Sequence, residues 1–201
     1  MKDEPLYMTG LRNLDRTFGG ARCGELTVVL SAHGQSPSRL LVPIAQYAGA
    51  PTLVFTSDEA EVTRDLRRHP DLYIDASGHG DFGTIARRTR DARNVLGIRG
   101  IVIEDLHLIR GVRYNDVRSR LRRMFSEFPA KLGVAVIVGW MSEYQRERPR
   151  WSDLYGTIAE DPDLLILMSS DSYADNSRRV YAHRQDRPGV ADDEFWVPGS
   201  A

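Results

Sequence analysis

The residues Ser31-Ala32-His33-Gly34-Gln35-Ser36-Pro37-Ser38-Arg39 are the first place in this chain where residue types and spacing suggest chemistry. They follow the apolar run Leu26 to Leu30 and lead into a segment that starts well as a helix. A small-residue loop between strand and helix is the layout that binds phosphate. Backbone N–H groups and the helix N-terminus surround the anion, a Gly-Lys pair reaches the terminal phosphates, and a Ser or Thr holds magnesium. Here Ser36 stands where the last glycine would be, and Pro37 stands at the lysine position. Proline offers neither an N–H nor a charge. Ser36-Pro37 is instead a good helix start, with serine as N-cap and proline at the first helical position. The expectation is a loop of His33, Gly34, Gln35, Ser36, Ser38 and Arg39 that keeps the layout and has a damaged cradle. Arg39 is its only local cation, because Lys2 is terminal and Lys131 lies far along the chain. A guanidinium fork does not replace the point charge of lysine cleanly.

Carboxylates come next. Glu104 and Asp105 close the run Gly100-Ile101-Val102-Ile103, and an acid after a buried strand can hold a magnesium–water shell. The same two acids could equally cap the next turn. Asp58 and Glu59 follow the run Thr52 to Phe55, and either could polarise a water. Ser57-Asp58-Glu59 also reads as the polar start of a helix. Arginines gather at Arg87-Arg88-Thr89-Arg90, at Arg118 to Arg123 and at Arg146 to Arg150. Most are expected to be solvated helix faces, with acids interspersed. The segment Glu143 to Trp151 differs, since Arg146, Arg148, Arg150 and Trp151 combine cations with an aromatic, which suits single-stranded DNA. The 5 histidines have no zinc-ligand spacing, Cys23 has no partner cysteine, and no G-x-S-x-G elbow is present.

The elements that must position these residues are legible. Leu26–Leu30, Thr52–Phe55, Ile101–Ile103, Val134–Val138 and Leu164–Met168 are short apolar runs rich in β-branched residues, as expected of strands buried on both faces. Helical stripes run between them. Val117, Leu121, Met124 and Phe128 share one helical face, and Ile85, Thr89, Ala92 and Leu96 form a weaker one starting at Asp81. Alternation of this kind predicts a doubly wound α/β fold with a mostly parallel sheet. A closing hairpin is expected from Val180–Ala182 and Glu194–Val197, turning through RQDRPG with Pro and Gly as turn residues. The 201 residues fit one domain, spanning 1–201, and 41% apolar content is ordinary for a globular chain. A formal net charge of −1 excludes a global basic footprint for nucleic acid. No run suits a membrane span or a signal peptide, and a lone cysteine fits a reducing cytoplasm.

From Met8 to about Val197 the sequence resembles the C-terminal motor domain of the DnaB-type bacterial replicative helicase, a RecA-like fold. The residues that carry the resemblance are Thr9-Gly10 with Leu14-Asp15, Gly19-Gly20, Gly24-Glu25-Leu26, the arginine-rich segment Asn115 to Glu127, Arg148-Pro149 with Ser152-Asp153-Leu154, and Ile158-Ala159-Glu160-Asp161-Pro162-Asp163-Leu164-Leu165. The last stretch is the most specific, because it keeps several unlike residues in order. The resemblance implies an ATP- and magnesium-dependent hexameric ring around single-stranded DNA. It places the metal-organising acid at Glu104, with Asp105 beside it, and the catalytic acid at Asp58 or Glu59. Inter-subunit arginine fingers fall at Arg184 and Arg187, and the DNA-facing loop falls at Glu143 to Trp151. The family's Ser-Gln sensor pair is replaced by Trp140-Met141, which reads as packing. The family's N-terminal helical domain has no counterpart in these residues, so a ring would form through this domain alone.

Loss of the lysine, the loop glycine and the sensor together argues against hydrolysis at motor rates, because those groups neutralise charge on the transferred phosphoryl. The leading expectation is therefore a non-hydrolysing helicase-like module. It would assemble with itself or a true helicase, or regulate another protein. Two alternatives stand beside it. One is an ATPase in which Arg39 or a neighbouring subunit supplies the missing charge. The other is a nucleotide-independent DNA-binding module.

Overall fold

A computed structural model describes residues 7–57, 69–78, 80–106, 109, 128–142, 144–145, 147–150, 162–169 and 177–196, with backbone alone for 177 and 187–196. Its centre is an eight-stranded sheet. The strands are β1 (Leu26–Ser31), β2 (Thr52–Phe55), β3 (Leu72–Asp75), β4 (Gly100–Ile103), β5 (Ala135–Met141), β6 (Leu164–Met168), β7 (Ser177–Arg184) and β8 (Arg187–Trp196). Their spatial order is β3-β2-β4-β5-β1-β6-β7-β8. All pairings from β3 through β6 are parallel, and β7 and β8 add antiparallel at one edge. The mostly parallel sheet expected from the apolar runs is present. β1 is buried throughout, and β5 is buried up to its last residue, as strands covered on both faces should be.

Two apolar clusters cover the two faces. One joins α1 (Arg12–Phe18) and α2 (Ser38–Tyr47) to the sheet through Leu14, Phe18, Leu40, Leu41 and Ile44 against Val29, Val102, Ile137 and Ile166. The other lies opposite and packs Ile85 of α3 (Phe82–Leu96), with Phe128 and Leu132, on Val28, Leu30, Ile103 and Val138. Asp81 caps α3 by accepting from the Thr84 N–H at 2.7 Å, and that bond holds its carboxyl below the usual range. Ile85 and Thr89 are buried as the stripe predicts, whereas Leu96 at the helix end is exposed. The arginine-bearing segment 115–127 lies outside the described residues.

Two expectations about strands need correction. β3 has no counterpart among the expected strands: Leu72-Tyr73-Ile74-Asp75 is a short run close behind Pro70, and it forms a half-buried strand at the sheet edge. The hairpin turns at Gln185-Asp186, and Pro188-Gly189 belong to β8 rather than to the turn. Pairing jumps from Arg184↔Arg187 to His183↔Val190, so Pro188 and Gly189 form an irregularity. Proline is tolerated there because a bulge near a strand start demands no ladder N–H.

The Thr9-Gly10…Asp15 opening proves to be a structural staple. The Asp15 carboxylate accepts from Thr9 N and Thr9 Oγ1, both at 2.8 Å, and from Gly10 N at 3.0 Å. Among the described residues no helix is long and apolar enough to cross a membrane.

Candidate functional site

β1 sits mid-sheet, with β5 on one side and β6 on the other. The chain leaves β1 toward β2 on the β5 side, and the later strand β6 fills the other side. The loop after β1 therefore opens at the carboxyl edge where the winding reverses, which is the usual ligand crevice of a doubly wound sheet. Gly34 has φ 75°, the left-handed turn that lets the loop double back. Ser31 Oγ donates to Gln35 O at 2.6 Å, and Gln35 N donates to Ala32 O at 3.0 Å. His33 Nδ1 lies 3.2 Å from Ser142 O, so the imidazole leans on the end of β5.

The helix starts one residue later than its residue types predict, with Pro37 rather than Ser36 at the N-cap of α2. Ser36 Oγ accepts from Ser38 N at 3.3 Å, and Pro37 O accepts from Leu40 N and Leu41 N, both at 3.0 Å. Arg39 N points back to Ser36 O at 3.4 Å. The amides of Gln35, Ser38 and Arg39 are thus donated within the loop, and Pro37 has none to give. Arg39 itself is exposed on the first turn of α2.

Opposite the loop, the end of β4 brings in Glu104, which is 8% exposed. Its carboxylate accepts from Ser38 Oγ on one oxygen and from Thr56 Oγ1 on the other. Three elements meet at this one acid: the start of α2, the end of β2 and the end of β4. Gly139 on β5 makes the approach possible. A Cβ there would lie 2.1 Å from Glu104 O and 2.8 Å from both Leu41 Cδ1 and Pro37 Cγ. A serine hydroxyl with a carboxylate is the hard-oxygen donor set that magnesium takes, so the residue types fit that ion. Asp105 is half-buried beside it.

The other sequence candidates fall as follows. Asp58 and Glu59 lie outside the described residues, as do Arg146 and Trp151. Trp140 is 5% exposed in the core and packs, as its type suggests, while its carbonyl accepts from Ser31 Oγ at 3.4 Å. Arg184 is fully buried. It donates to Gly20 O at 3.0 Å, to Asp186 Oδ1 at 2.9 Å and to Glu25. That guanidinium is engaged inside its own chain, an arrangement that fits a structural role better than a finger reaching a neighbour. Arg187 opens β8, and its side chain is outside the described set. Arg148 and Arg150 are exposed on the segment after β5.

Two groups near the loop had no sequence signal. Thr56 sits one residue beyond β2, and its partnership with Glu104 depends on the β2–β4 pairing. Arg178, near the start of β7, reaches Gln35 Oε1 at 3.4 Å across 143 residues of chain.

A six-strand parallel run with this loop at the switch point, extended by an antiparallel hairpin, defines a RecA-like fold. Among solved structures, the chain is similar to a DnaB-like replicative helicase described with its interactions with primase, at a TM-score of 0.73 and 16% identity. That match covers 94% of this chain and 60% of the other. It is also similar to a second solved structure, described as an ATPase domain, at a TM-score of 0.72 and 16% identity. That match covers 94% of this chain and 88% of the other. No family model and no curated protein matches the sequence. The likeness extends to the fold, which is the one the sequence resemblance implied.

Proposed function

We propose that this chain is a single RecA-fold module that does not hydrolyse nucleotide. It acts by assembling with itself or with a helicase or other protein, in the service of DNA replication or repair. One observation carries the reading. Ser36-Pro37 replaces the glycine and lysine of a phosphate loop, and the neighbouring amides of Gln35, Ser38 and Arg39 are hydrogen-bonded within the loop. A phosphate at this position meets fewer inward donors and no lysine, while its own charge remains to be neutralised. Ring formation, DNA contact and a cytoplasmic setting belong to the same proposal. They are supported by the likeness to the helicase fold and by the single cysteine, Cys23.

A second reading has a specific observation in its favour. The Ser38–Glu104 corner is intact, and Arg178 reaches the loop from β7. In an ATPase reading, Ser38 and Glu104 would hold magnesium, with Asp105 beside them. The ion would supply charge neutralisation at the phosphates, and Arg39 or Arg178 would add a cation. Asp58 or Glu59 would orient water, and Arg187 would remain the candidate finger.

Calorimetric titration with ATP and magnesium separates the two. The expected result is no saturable heat at millimolar nucleotide, and appearance of binding when Ser36→Gly and Pro37→Lys are introduced together. Saturable binding by the unaltered chain, lost on Arg39→Ala or Arg178→Ala, overturns the proposal in favour of the enzyme.

A further inference from the structure

We infer that the cavity between the end of α2 and the start of β3 binds a guanidinium group carried on an alkyl stem. The cavity lies at the amino edge of the sheet, where β2 and β3 begin, whereas the phosphate loop lies at the carboxyl edge. α2 starts in that loop and ends here, about 15 Å away at its rise per residue. Ala45, Gln46 and Gly49 line one wall, and His69, Asp71 and Leu72 line the other. The volume is ≈ 60 Å³.

The walls offer acceptors. α1 and α3 each close on a left-handed glycine whose N–H donates back into the helix, Gly19 to Asp15 O and Gly97 to Arg93 O. Gly49 after α2 is also left-handed, at φ 64°, yet neither it nor Ala50 donates such a bond. Carbonyls of the last turn of α2 are therefore open to an outside donor, at the end of the helix where the dipole is negative. The Asp71 carboxylate borders the same space and has no hydrogen bond or ion pair among the described residues. Asp71 and Gly49 are exposed and Ala45 is buried, so the cavity opens to solvent over an apolar floor.

This chemistry excludes an anion, which would meet a carboxylate and the negative end of a helix. Size excludes a nucleotide or a large cofactor, whose pockets run from about 300 Å³ upward. A divalent metal needs more than one carboxylate and one imidazole, and no group of three metal-ligating side chains occurs among the described residues. A small organic cation remains. Guanidinium fits better than ammonium, because its planar fork spans a carboxylate and carbonyls together and it sheds water more readily. Ala45 and Leu72 give the stem an apolar wall. A free guanidino compound and an arginine of another chain present this same group. Binding here needs neither nucleotide nor DNA, so this inference and the proposed function can fail separately.

The test is an NMR titration of the isotopically labelled full chain with N-acetyl-arginine amide, followed through the backbone amide shifts. Saturable shifts are expected at Gly49, Ala50 and Leu72 at millimolar ligand. None is expected with N-acetyl-citrulline amide, which keeps the stem and lacks the charge. Asp71→Asn removes the charge with little change of shape and should weaken binding several-fold, with thermal melting to confirm the fold. If Asp71→Asn unfolds, Gln46→Lys decides, because it sets a competing cation at the rim and should abolish the shifts. A short peptide carrying one arginine separates the two sources. Tighter binding than the free amide assigns the site to a protein partner, and equal or weaker binding assigns it to a small guanidino compound. Three outcomes overturn the inference: no saturable shift, equal shifts with the citrulline compound, or a folded Asp71→Asn that binds like the unaltered chain.

Discussion

At the scale of single residues, position decides what a guanidinium does. Arg184 and Arg39 are the same side chain, yet one is fully buried with Gly20 O, Glu25 and Asp186 as acceptors, and the other is exposed. Removing Arg184 leaves a buried carbonyl without its donor and parts two acids from their cation. Arg184→Ala is expected to lower unfolding stability by about 3 kcal/mol. Arg39→Ala should stay within about 0.5 kcal/mol. Urea denaturation of both variants checks the contrast, with the midpoint moving for Arg184→Ala and the slope unchanged. Equal midpoints would mean that the Arg184 contacts contribute little. The arginines of the turn were legible in the sequence, but which of them points inward was not. Strand alternation together with the Leu164↔Arg184 register turns Arg184 to the same sheet face as Val180 and Ala182.

Elements meet tightly where α2 and the end of β4 cross β5. Gly139 is the one residue of β5 (Ala135–Met141) without a side chain. The register puts it beside Val29 of β1, under Pro37 and against the Glu104 carbonyl. Backbone cannot yield as a side-chain tip can, so Gly139→Ala should cost about 1–3 kcal/mol and displace the start of α2. Differential scanning calorimetry would register this as a lower Tm. A Tm equal to that of the unaltered chain would show that the β4–α2 junction has slack. The same crowding explains why Glu104 takes hydroxyls from two elements: the start of α2 and the end of β2 are both drawn to the end of β4.

The molecule as a whole is closed by Tyr7 where β2 and β4 begin. Its ring is fully buried against Gly100, and its hydroxyl lies 3.3 Å from both Pro51 O and Thr52 Oγ1. Burial pushes the phenol well above its ordinary value of 10.0. The unfolded chain therefore releases this proton near pH ~10 while the folded chain retains it. Above that pH the folded state binds more protons, so stability falls as pH rises, by up to about 1.4 kcal/mol per pH unit from this group. Below it the contribution is complete. Tyr7→Phe should flatten the alkaline limb of a stability–pH curve, and an unchanged limb would assign the loss to other groups.

The sequence by itself determined the class of fold, the central strands and the alteration of the phosphate loop. Apolar runs mark strands covered on both faces, and the chemistry of Ser36-Pro37 is local. It also placed Glu104 correctly at the end of a strand, because an acid after a buried run is conspicuous. Only the tertiary structure decided the partners. Thr56 reaches Glu104 through the pairing of β2 with β4, Arg178 reaches Gln35 through the antiparallel return of β7, and Tyr181 joins Arg148 to Arg179. Sheet order and register set those distances, and both follow from which faces pack together, a property that no local window of residues contains.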